Sequence, residues 1–132
     1  MQFSKTSLAT QRARVTGLGA AKAGTEHFWH QRLTAVALIP LAITFVVVVI
    51  KLVGADYKAA TSLLGNAFVG ILMLLFVLAG VFHMRLGMQT IIEDYVHAEG
   101  TKLVCLMLNT FFSVLVGLSC VYALLKISFG NS

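Results

Sequence analysis

Three stretches of this chain carry no charged residue: Leu33 to Ile50 is eighteen residues long, Leu63 to Phe82 twenty, and Leu103 to Leu125 twenty-three. A bilayer core takes about 20 consecutive apolar residues to cross as an α-helix. In lipid the backbone must satisfy its own hydrogen bonds, so such runs become helices rather than loops. Lys51 can snorkel, which carries the first span to about Val53; Pro40 inside it reads as a tolerated kink. Composition agrees: the chain is 58% hydrophobic and 11% charged, against roughly a quarter charged in soluble domains. With 132 residues a soluble fold would have nowhere to bury that much apolar surface. The expected fold is therefore all-α and integral to the membrane, three transmembrane helices running up, down and up. The spans fall at about 31–53, 63–89 and 103–126, and residues 1–27 read as a solvated tail before a membrane domain at 28–132.

The net charge of +5 raises nucleic acid as a partner, but the distribution of that charge argues for membrane lipid instead. Lys5, Arg12, Arg14, Lys22 and Arg32 all precede or open the first run, with Glu26 as the sole acid there. Adding Arg85 and Lys102 puts seven basic residues on the side of the N-terminus and second connection; Lys51, Lys58 and Lys126 make three on the other. The positive-inside bias then places the N-terminus and the Glu93–Lys102 link in the cytoplasm. No apolar stretch of signal-peptide length precedes residue 27, so a secretory signal is excluded. The acid-poor, Arg- and Ser-containing start also has the composition of a mitochondrial transit peptide, while a short cytoplasmic tail is the simpler account. Bacterial inner membrane is the expected location, with the mitochondrial inner membrane as the other possibility. Cys105 and Cys120 lie within an apolar run, fifteen residues apart. They fit neither a redox C-x-x-C pair nor a disulfide framework, and act as small hydrophobes.

The second run ends in ionisable groups, through Gly80-Val-Phe-His-Met-Arg-Leu-Gly-Met-Gln-Thr-Ile-Ile-Glu-Asp-Tyr95. An ionisable side chain within a span is costly and marks a functional candidate. On a helix of ~3.6 residues per turn, His83 and Asp94 share a face about 16 Å apart along the axis. Gly80 and Gly87 flank His83 on that face. A planar group could lie there with its metal on one imidazole nitrogen, which makes His83 a candidate axial ligand to haem iron. The competing reading is a polar residue that hydrogen-bonds a neighbouring helix. Arg32 is available for haem propionates from the same membrane side. His27, His30 and His97 lie at the predicted interface rather than at comparable depth, so a second ligand would come from another chain. That implies a partner membrane subunit, or a homodimer with haem on its axis.

Asp94 and Tyr95 stand where the second span meets cytoplasmic water. A phenol can donate to a carbonyl and a carboxylate can relay protons, a pairing suited to a lipid-soluble quinone. Ordinary helix-end chemistry is the simpler account of the pattern by itself: Tyr95 in the aromatic belt and Asp94 solvated. Ser113 and Gly117, at i and i+4, offer a close helix contact; ordinary lipid-facing composition is the other reading.

His83-x-x-x-Gly87 followed by Asp94-Tyr95 resembles the small D-type membrane anchor of succinate dehydrogenase (respiratory complex II). Arg32-Leu-Thr-Ala35 at the opening of the first span, the three-span layout and the basic N-terminus are similar to the same family. The resemblance implies half of a heterodimeric membrane anchor, in which His83 supplies one axial ligand to haem b and the larger C-type anchor subunit the other. It further implies that Tyr95 hydrogen-bonds ubiquinone, that Asp94 lies in the same site, and that Arg32 is near the propionates. Flavin, succinate site and clusters would belong to a flavoprotein subunit and an iron–sulfur subunit, leaving this chain without catalysis alone. A small homo-oligomeric transporter or proton-coupled carrier, using Asp94 or His83 as its ionisable site, is the alternative from a different class.

The charge asymmetry gives a direct test of topology. A reporter fused after Ser132 should report the periplasmic side and one inserted near Glu99 the cytoplasm; both on one side would remove the three-span arrangement.

Overall fold

The computed structural model describes residues 20–130, with side chains from Thr25 onward. Lys5, Arg12, Arg14 and most of the segment read as a tail lie outside the described residues. Among the described residues there are four helices and no strand: α1 (Ala20–Leu52), α2 (Tyr57–Gly65), α3 (Ala67–Tyr95) and α4 (Glu99–Phe129). Stretches Thr25–Leu52, Ala67–Tyr95 and Glu99–Phe129 are each long and apolar enough to cross a membrane.

The helices overrun the apolar segments that define them. α1 starts within the segment expected to be a solvated tail, because Ala20-Ala-Lys-Ala23 is made of strong helix formers and nothing before Pro40 stops the turn. The helix continues through Pro40, and the Thr44 hydroxyl donates to the Pro40 carbonyl four residues back at 2.9 Å. At ~1.5 Å per residue, α3 is roughly 43 Å long, more than a ~30 Å hydrocarbon core requires. Its last turns therefore leave the lipid carrying Glu93, Asp94 and Tyr95. The expected Glu93–Lys102 link shrinks to Val96–Ala98, since the polar residues on both sides stay helical.

The start of the second span also differs from the sequence expectation. Asn66 divides the apolar run that begins at Leu63: its side chain accepts from the backbone N–H groups of Phe68 at 3.0 Å and Val69 at 3.3 Å and caps α3. Leu63, Leu64 and Gly65 instead finish α2, which Asp56 caps by accepting from Ala59 N–H at 2.7 Å. Each cap satisfies donors that a helix start leaves orphaned. The bend out of α1 depends on Gly54, whose φ of +76° disfavours any side chain.

α3 is the central helix, packed against α1 on one side and α4 on the other, while α2 packs against α4 and the start of α3. Antiparallel α1 and α3 meet through Phe45 stacked on Phe76 with ring centroids 4.6 Å apart, and through Thr34 beside His83. α4 docks through its small residues. Ser113 is 1% exposed and Gly117 buried, and a Cβ on Gly117 would stand 3.4 Å from Val81 Cγ1. Their i, i+4 spacing is thus the contact the sequence offered. Lipid gives no hydrophobic drive between helices, so this close approach is what holds α4 to α3. Asn109 adds a polar tie, donating from Nδ2 to the Arg85 carbonyl at 3.0 Å. Few large side chains are buried: Val48, Met73, Leu86 and Ile92 form the interior, while Leu33, Phe111 and Leu118 are each more than 60% exposed. Those outer faces suit lipid and partner helices.

This packing predicts a graded response at Gly117. Gly117→Ala adds a methyl at ordinary contact distance and should change little. Gly117→Leu must displace Val81 or α4 and should cost about 1–3 kcal/mol, read as a lowered midpoint of thermal unfolding for the purified protein in detergent.

Candidate functional site

The α1–α3 seam brings Gln31 and Thr34 of α1 against His83 of α3. His83 is half-buried, and its Nδ1 lies 3.1 Å from Thr34 Oγ1. Thr34 Oγ1 also stands 2.8 Å from the His30 carbonyl and 3.1 Å from that of Gln31. The sequence makes this local geometry natural: a threonine inside a helix turns its hydroxyl back to the carbonyl one turn earlier. Around the pair, a Cβ added to Gly80 would lie 3.9 Å from Leu38 Cδ2, and one added to Gly87 would lie 3.9 Å from Gln31 Nε2. Gln31, Thr34 and Leu38 thus face Gly87, His83 and Gly80 in antiparallel register. The glycine-flanked face expected to lie open for a planar ligand meets α1 instead, and the missing side chains let that helix come close. At the rim, the His30 ring meets Phe82 edge-on with centroids 6.1 Å apart.

Arg32 does not join this seam. Two residues from Thr34, it lies ~200° around the helix, exposed, with its guanidinium 5.1 Å from the centre of the Phe28 ring. That stacking is a cation–π contact within α1. His27 is different: four residues before Gln31, it shares the seam face of α1. Its Nε2 is buried without a hydrogen-bond partner among the described residues. The sequence reading left His27 without a role, and only burial singles it out.

Asp94 and Tyr95 close α3 at its C-terminal end, about 16 and 18 Å along the axis from His83. Both are exposed, Tyr95 by 78%, and neither forms a hydrogen bond or ion pair among the described residues. Their neighbour Glu93 is engaged, accepting from Gln89 Nε2 at 2.8 Å. The two expected quinone residues therefore stand together, apart from His83, with their polar atoms available. A groove of about 390 Å³ between α3 and α4, lined by Met84, Met88, Ile92, Cys105, Leu108 and Phe112, approaches the same end. Met84, Met88, Ile92 and Tyr95 recur at i, i+4, i+8 and i+11, one stripe along α3 that leads from the apolar groove to the phenol.

Fold and site together define a polytopic helical membrane protein with an imidazole set in a helix seam and a carboxylate–phenol pair at the membrane surface. The chain belongs to the succinate dehydrogenase/fumarate reductase transmembrane subunit family, whose model matches residues 6–117. It is 32% identical over 121 residues to the succinate dehydrogenase hydrophobic membrane anchor subunit of Paracoccus denitrificans, covering 92% of this chain and 93% of that one. The succinate dehydrogenase membrane anchor subunit of Reclinomonas americana is 31% identical over 90 residues, 66% of this chain and 75% of its own. The hydrophobic membrane anchor subunit of Rickettsia bellii is 28% identical over 97 residues, 74% of this chain and 78% of its own. No solved structure gives a significant match.

Proposed function

We propose that this chain is the small hydrophobic anchor of a succinate:quinone oxidoreductase, helping to hold haem b and forming part of the site where ubiquinone is reduced. Its partners in this reading are a larger C-type anchor subunit, an iron–sulfur subunit and a flavoprotein subunit. The membrane is the bacterial inner membrane, with the chain's N-terminus in the cytoplasm. Family membership supports the assembly. The observation that carries the site is His83, an imidazole held within the spans by one ring nitrogen only.

The residues fit the proposed groups. A haem ligand needs one neutral imidazole nitrogen with a free lone pair, and His83 uses Nδ1 toward Thr34 while no hydrogen bond involves Nε2 among the described residues. The contact with α1 bears out the polar reading of His83 and leaves the haem reading open to it, because a histidine can bond a neighbouring helix and still coordinate. A second ligand would come from the larger anchor, Arg32 would reach the propionates by leaving its stack on Phe28, and Gly87, which faces Gln31, would keep the seam beside the imidazole free of bulk. Haem b, when bound, supplies a one-electron redox centre. Reduction of ubiquinone to ubiquinol takes two electrons and two protons. Tyr95 would donate its phenolic hydrogen to a quinone carbonyl, Asp94 would pass protons from cytoplasmic water, and the Met84–Ile92 groove would take the apolar tail.

Two substitutions test the two halves of this reading. His83→Ala should abolish or perturb the b-type absorption spectrum of the assembled complex, whereas His97→Ala should leave it intact; a normal low-spin spectrum in His83→Ala would exclude the ligand. Tyr95→Phe keeps the ring and removes only the hydroxyl. Loss of a hydrogen bond of about 1–3 kcal/mol should slow succinate–quinone turnover roughly 5- to 150-fold. Reduction of a soluble dye by succinate should be unchanged. Equal quinone rates in variant and wild type, with haem intact in both, would make Tyr95 an interfacial anchor.

A further inference from the structure

The pairing of Thr34 with His83 decides which imidazole nitrogen carries the proton. Thr34 Oγ1 is within hydrogen-bond distance of three groups: the His30 carbonyl at 2.8 Å, the Gln31 carbonyl at 3.1 Å and His83 Nδ1 at 3.1 Å. A hydroxyl has one proton and two lone pairs. Carbonyl oxygens cannot donate, so the proton must go to them; directed at Nδ1 instead, it would leave oxygen lone pairs facing each other at 2.8 and 3.1 Å. With its proton committed to the α1 backbone, Thr34 Oγ1 can only accept from His83. Nδ1 is then the protonated nitrogen of the neutral ring, and the lone pair is left on Nε2.

We propose that Thr34 is a positioning residue that holds His83 in its Nδ1–H tautomer, so that Nε2 is the nitrogen that binds haem iron. The inference rests on the haem reading of His83 and adds to it the residue on a different helix that sets the ligand. A hydrogen bond from the non-ligating nitrogen fixes the ring's orientation and raises its basicity, as the outer partners of metal-bound histidines do elsewhere. Here the acceptor is neutral and comes from α1, while the ligand comes from α3. Gly80 and Gly87 flank the ring on the seam side, facing the α1 side chains of Leu38 and Gln31. Haem affinity is thereby coupled to the docking of the first span onto the second.

The test uses the complete complex with Thr34→Val, which keeps the branched shape and removes the hydroxyl, and Thr34→Ser, which keeps the hydroxyl. Thr34→Ala is measured in parallel and carries the comparison should valine prevent assembly. Haem affinity and haem midpoint potential are the readouts, with succinate–dye activity as the measure of assembly. Without the hydroxyl, haem should bind about 10- to 100-fold more weakly. The potential should rise, because an imidazole that no longer donates from Nδ1 is a poorer electron donor to ferric iron. Serine should restore both. Wild-type affinity and potential in the hydroxyl-less variants, or a serine variant as perturbed as they are, would overturn the role of Thr34 and leave His83 as ligand. A normal haem spectrum in His83→Ala would instead overturn the haem reading itself.

Discussion

The structure depends on how closely its helices can approach one another in a solvent that gives them no hydrophobic reason to do so. Lipid tails are as apolar as leucine, so helix association must come from van der Waals packing and a few polar ties. Both seams of α3 meet that requirement with missing or small side chains. Toward α4, Gly117 and Ser113 admit Val81, and the Asn109 amide closes on the Arg85 carbonyl. Toward α1, Gly80 and Gly87 lie opposite Leu38 and Gln31. α3 is held from two sides, and it carries His83, Gly87, Asp94 and Tyr95, while Arg32 and Thr34 come from α1.

That arrangement gives the two chemical regions different surroundings. His83 lies in the seam, half-buried and bonded across to α1, where its ring is restrained. Asp94 and Tyr95 lie past the apolar stretch, exposed at the helix end. A metal ligand gains from restraint, because an unoriented imidazole loses affinity. A quinone site needs access to protons and a passage for an apolar tail. One continuous helix separates the two by its own rise per residue, and the groove along Met84, Met88 and Ile92 runs beside the same helix.

The chain buries little of its own surface. Exposed side chains such as Leu33, Ile39, Phe111 and Leu118 would be untenable in water and are ordinary in lipid or against another subunit's helices. Membership of a family of transmembrane subunits accounts for faces that have no partner within the chain.

The sequence alone determined the three spans, since uncharged runs of bilayer length have no other stable form, and it exposed His83, Asp94 and Tyr95, since ionisable groups stand out against an apolar background. The i, i+4 spacing of Ser113 and Gly117 offered a helix contact, and the packing of Val81 against Gly117 decided for it over a lipid-facing surface. Tertiary structure decided what hydropathy could not. Asn66 reads as one polar residue within an apolar run, and its role as a cap depends on backbone direction. Arg32 and Thr34 are two residues apart in the chain, yet one stacks outward on Phe28 and the other faces His83, because successive helix positions differ by about 100°. Above all, the pairing of Thr34 with His83 joins residues 49 apart. It follows from the register of α1 against α3, which no local pattern encodes, because the two helices meet only after the chain has turned back through α2.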